Sequence, residues 1–87
     1  MAVVLLRAPL ADLAGGREHP VDGVTVKEAL VALESTCPNI SGWVLDERRT
    51  IRRHVNVYVN GELAREETAV GDADRIHVLP AITGGLR

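Results

Sequence analysis

Phenylalanine is missing from this 87-residue chain, and only Trp43 and Tyr58 supply aromatic rings. A core must therefore be built from Val, Leu, Ile and Ala. Two aromatics also provide no platform on which single-stranded nucleic acid could stack. Cysteine occurs once, as Cys37, so no intramolecular disulfide can form, in keeping with a cytoplasmic setting. Long hydrophobic runs are lacking. The one near the start, AVVLL at 2–6, is too short for a signal peptide's apolar region or a membrane span. Basic charge is not in excess: the formal net charge is −2, which argues against nucleic acid as the main partner. His19, His54 and His77 form no metal-ligand spacing such as an i, i+4 pair, so no metal site is expected. No nucleophile–base pair or carboxylate pair is set out for chemistry either, so no catalytic residue is assigned.

What is present reads as one modest globular domain. At 46% hydrophobic and 25% charged residues, the composition is that of an ordinary soluble protein. A chain of this size buries roughly 60–65% of its unfolded surface. The run AVVLLR (2–7) is apolar and β-branched and ends before Pro9, which predicts a strand buried on both faces. LAGGREHPVDG (13–23) reads as a turn at Gly15-Gly16 and a short edge strand, where Pro20 is tolerated. TVKEALVALES (25–35) is the clearest helix. Thr25 and Glu28 have capping-box spacing, and Val26, Ala29, Leu30 and Leu33 form one apolar stripe. Pro38 stops the helix.

ISGWVLDE (40–47) predicts a short helical turn that tucks Trp43 or Leu45 under a sheet, and RRTIRR (48–53) a charged loop. In HVNVYVNGELARE (54–66), Val55, Val57 and Val59 alternate with Asn56, Tyr58 and Asn60, the period of a half-buried strand. Asn60-Gly61 then signals a two-residue hairpin turn. GDADRIHVLPA (71–81) supplies a turn and a last strand, with Ile76 and Val78 facing one way and His77 and Leu79 the other. About five strands and one main helix predict an α+β fold in which the helix covers one sheet face and leaves the other open, the layout of the β-grasp. The folded domain is expected over residues 1–82, with 83–87 as a flexible tail carrying Gly84-Gly85 and then Leu86-Arg87.

Four stretches carry a resemblance. The helix opening GVTVKEALVAL, the hairpin VNVYVNGE, the turn and strand GDADRIHVLPA, and the ending LPAITGG together resemble the ubiquitin-like sulfur carriers of the MoaD/ThiS type. Within that family, HVNVYVN and VLPAITGG look most like the carrier serving actinobacterial cysteine biosynthesis. The resemblance implies a protein-sized co-substrate rather than an enzyme. Its C-terminal glycine, here Gly85, is adenylated by a ubiquitin-activating-type enzyme using ATP and Mg²⁺, then converted to a thiocarboxylate that delivers sulfur to a sulfur-accepting synthase. Gly84 and Thr83 would thread into the activating enzyme.

The chemistry suits glycine. The attacking group must be a free α-carboxylate, which is ionised near neutrality with an ordinary pKa of about 3.3–3.7, and a side chain at that position would obstruct backbone approach. Gly85 departs from this pattern, because its carbonyl is in an amide to Leu86. Related pathways imply that a JAMM-type zinc metalloprotease removes Leu86 and Arg87. Two other functions share the same features: a protein modifier conjugated through Gly85, and a plain ubiquitin-like binding domain with an inert tail.

Other residues admit a plain and a sharper reading. Asn56, Tyr58, His77 and Leu79 are candidates for docking a partner on the open sheet face. The plainer alternative is a merely solvated face. Arg48, Arg49, Arg52 and Arg53 read as a solvated loop, with contact to an acidic partner as the alternative. Cys37 reads as a small buried residue at the helix end, with no base or cation nearby in sequence to activate it.

Overall fold

The computed structural model describes residues 1–80. Its elements in chain order are β1 (Ala2–Leu6), α1 (Leu10–Ala14), β2 (Glu18–Val21), α2 (Val26–Thr36), a single 3₁₀ turn (Pro38–Ile40), β3 (Val55–Val59), β4 (Glu62–Leu63) and β5 (Arg75–Pro80). The five strands form one sheet in the order β2-β1-β5-β3-β4. The first and last strands, β1 and β5, run parallel at its centre. All other neighbours are antiparallel. This is the expected α+β architecture, a mixed sheet with one main helix.

α2 forms where the apolar stripe predicts it. Val26, Ala29, Leu30 and Leu33 have no exposed surface. Burying a Val or Leu side chain of this kind contributes about 1.5–3 kcal/mol. The Glu28 N–H donates to Thr25 Oγ1 at 3.2 Å. The Glu28 carboxylate reaches back one residue further than a capping box requires and accepts from the Val24 N–H at 3.0 Å. Gly23 sits just ahead of this cap with φ +149°, and a Cβ there would lie 2.7 Å from Ala29 N. The close approach of chain and helix therefore needs a residue without a side chain. Below the helix lie Val4, Leu6, Val57, Ile76 and Val78, all at most 1% exposed.

The hairpin between β3 and β4 turns at Asn60 (φ 52°) and Gly61 (φ 90°), both left-handed as a type I′ turn demands. Behind it, Asn60 ties the turn to the last strand. Its Nδ2 donates to Asp74 Oδ1 at 2.9 Å, and its Oδ1 accepts from the Arg75 N–H at 3.0 Å.

Three expectations need correction. β1 is not buried on both faces: Ala2, Val4 and Leu6 are buried, while Val3 and Leu5 are only partly so. Among the described residues, nothing packs over the second face of the sheet. The segment before β2 also contains α1, a five-residue helix closed at Gly15, where only a turn was expected. Its anchors Leu10 and Ala11 are buried. In the irregular segment after α2, it is Leu45, at 1% exposed, that tucks under the sheet with Ile40 and Val44, whereas Trp43 stays 48% exposed. The Glu34 carboxylate sets this choice by accepting from the Val44 and Leu45 N–H groups at 3.1 and 3.0 Å. The helical turn itself falls earlier, at Pro38–Ile40.

Candidate docking face and tail

Strand phase decides what the open sheet face displays. With Ile76 and Val78 buried against the helix, β5 must turn Arg75, His77 and Leu79 to the other side. The register then gathers the docking candidates: Asn56 stands opposite Leu79, and Tyr58 opposite both His77 and Leu63. Tyr58, His77 and Leu79 are partly buried and Asn56 is exposed. All four predicted residues therefore share one surface on adjacent strands.

Sequence reasoning missed the rest of that face. Leu63 is 67% exposed on β4. Val3 and Leu5 extend the apolar strip across β1, opposite Arg75 and His77 respectively. The period-two phase of AVVLL could have assigned Val3 and Leu5 to this side, had the run not been read as buried throughout. The other functional candidates, Thr83, Gly84, Gly85, Leu86 and Arg87, lie outside the described residues.

Below the face, the 71–74 loop is held by a carboxylate. The Gly71 N–H donates to Asp74 Oδ2 at 2.8 Å. This bond first, and the Asn60 side-chain amide second, hold the Asp74 carboxyl below the usual carboxylate range. Asp46 does similar work in the arginine loop. Its carboxyl is lowered chiefly by the Thr50 N–H, with the Arg48 N–H and nearby arginine charges adding to it. Arg48, Arg49 and Arg53 are exposed there, while Arg52 is partly buried and donates through Nε to the Gly42 carbonyl.

Cys37 is 7% exposed at the end of α2, as expected of a small buried residue. No base lies near it in sequence, but the fold brings one from 18 residues away: His19 Nδ1 lies 3.7 Å from its Sγ. His19 Nε2 faces the Gly16 carbonyl at 2.9 Å. A carbonyl can only accept, so in the neutral ring the Nε2–H donates to Gly16 and Nδ1 is left to accept a hydrogen bond from the Cys37 S–H. Among the described residues, no group of His, Cys, Asp and Glu could hold a metal ion, and no helix is long and apolar enough to cross a membrane.

A five-stranded mixed sheet with parallel first and last strands, covered on one face by one long helix, defines the class: this is a ubiquitin-like β-grasp protein. The chain belongs to the ThiS family, whose model matches residues 4–85. It is 35% identical over 83 residues to the small archaeal modifier protein 1 of Haloferax volcanii, covering 92% of this chain and 95% of that one. It is 32% identical over 77 residues to the sulfur carrier protein CysO of Mycobacterium tuberculosis, covering 82% and 83% respectively. A chain in the crystal structure of the BexX/CysO complex from Amycolatopsis orientalis superposes with a TM-score of 0.85 at 31% identity, covering 98% of this chain and all of that one. These relatives are named as small carrier and modifier proteins, and one occurs in complex with another protein.

Proposed function

We propose that this protein carries sulfur as a thiocarboxylate on Gly85. The observation that carries the reading is where the family match stops: it runs through Gly84-Gly85 and leaves Leu86 and Arg87 outside. Gly85 must first be freed from its amide to Leu86, because an amide carbonyl cannot attack ATP. A zinc-dependent hydrolase of the JAMM type is the proposed agent. The released carboxylate oxygen attacks the α-phosphorus of ATP, expelling pyrophosphate and leaving an acyl-adenylate. Sulfide then attacks the acyl carbon and expels AMP, which leaves the thiocarboxylate. ATP and Mg²⁺ belong to the adenylating enzyme, and the sulfur goes on to an accepting synthase. Asn56, Tyr58, His77 and Leu79 provide the surface on which these partners dock. The carrier itself catalyses nothing, and its role is that of co-substrate.

The test is intact-mass measurement of the Gly85-terminated chain after incubation with its adenylating enzyme, ATP, Mg²⁺ and a sulfur donor. The mass should rise by one exchange of sulfur for oxygen. A mass that never changes would contradict the reading. The relative named as a modifier favours a second use of the same activated terminus, conjugation to lysine amines. Higher-mass conjugates of the tagged chain in cell extracts, released by a hydrolase, would identify it.

A further inference from the structure

Next to the docking residues, and sharing His77 with them, the open face holds a shallow cavity of about 330 Å³ where β1, β2 and β5 meet. Arg7, Arg17, Arg75 and His77 line it, with Leu5 beneath and Glu18 as its one acid. All three arginines are exposed. Among the described residues none of them is ion-paired: the ion pair found there joins the Met1 ammonium to Asp72 at 3.3 Å, and neither of these lines the cavity. A chain of net charge −2 thus gathers three unpaired cations at one spot, against their mutual repulsion.

We propose that this cavity receives Asp or Glu carboxylates from the protein that docks on the open face, namely the adenylating partner. The inference rests on the carrier reading above. Charge selects an anion, and the surroundings select a protein as its bearer. The cavity opens onto the apolar strip of Val3, Leu5, Tyr58, Leu79 and Leu63. A small free anion would leave that strip wet, whereas a protein surface covers it while presenting acids at its edge. Guanidinium groups pair with carboxylates in bidentate fashion. The arginines therefore fix orientation and speed encounter, and the apolar strip supplies the contact area.

The experiment is calorimetric titration of the Gly85-terminated full chain with the adenylating enzyme of the same organism, at low and high salt. Because the arginines are exposed, Arg7→Glu/Arg75→Glu should fold with unchanged melting temperature. It should bind about 100-fold more weakly near 50 mM salt and approach the unmodified chain near 0.5 M, where charges are screened beyond a few Å. Glu18→Gln should bind more tightly at low salt. The same double reversal at Arg48 and Arg53 serves as the control for net charge, and its loss should be much smaller. Equal losses in the two double variants, or binding by the cavity variant as tight as by the unmodified chain, would overturn the cavity proposal while leaving the carrier reading intact. No binding by the unmodified chain would overturn both.

Discussion

Leu30 sits at the middle of the buried stripe of α2 with no exposed surface. Leu30→Ala removes three heavy atoms from a packed site and should cost about 2–5 kcal/mol in urea unfolding; a loss below about 0.5 kcal/mol would mean the stripe is not core. Asp74 gives a pH-dependent counterpart. Its carboxyl is held below its ordinary range by the Gly71 N–H and the Asn60 amide. The stability it adds is therefore full above the ordinary carboxylate pKa, about 3.9, and is lost as pH falls through the lower folded value. Asp74→Asn should accordingly melt at lower temperature than the parent at pH 7, and that gap should narrow below about pH 4. A gap unchanged with pH would remove the carboxylate's role. At this scale the sequence was legible where neighbours in the chain decide burial, as for Val26 to Leu33. It was not legible where a distant group decides. The Glu34 carboxylate captures the Val44 and Leu45 amides, which leaves Trp43 outside. His19 reaches Cys37 from 18 residues away.

Among the elements, α2, β3 and β5 were readable because each runs long enough to show its period, and because Thr25, Asn60-Gly61 and Pro38 punctuate the chain chemically. α1 was not, since five residues with no side-chain cap carry too little pattern and are held by tertiary burial of Leu10 and Ala11. β1 was found but its exposure was misjudged. An unbroken apolar run looks the same whether its second face meets a helix or a docking partner. Two element-level changes test the account. Thr25→Ala removes the oxygen that accepts from the Glu28 N–H and should cost about 0.5–2 kcal/mol, measured by thermal or urea unfolding. Gly23→Ala should destabilise as well, because its Cβ would meet Ala29 N at 2.7 Å and φ is +149°. An alanine variant as stable as the parent would show that the close approach of this segment to the helix is not tight.

At the scale of the whole molecule, the fold separates two jobs. The helix face of the sheet holds the domain together, and the open face is the one proposed here to meet a partner. Tyr58→Ala and Leu79→Asp, both on that open face, should leave unfolding unchanged within about 0.5 kcal/mol yet weaken binding to the adenylating enzyme in calorimetric titration. Unchanged affinity for both would move the interface elsewhere. The tail carries the central claim, and ATP–pyrophosphate exchange with the adenylating enzyme tests it most directly. The chain ending at Gly85 should support exchange. The chain still carrying Leu86 and Arg87 should not, because Gly85 then has no carboxylate. A chain ending at Gly84 should be poor, since its carboxylate recedes by about 3.3–3.6 Å and misplacement by even 1 Å can lower a rate about 100-fold. Exchange by the untrimmed chain at the rate of the Gly85-terminated one, with Leu86 and Arg87 still present in its mass at the end of the assay, would contradict the account.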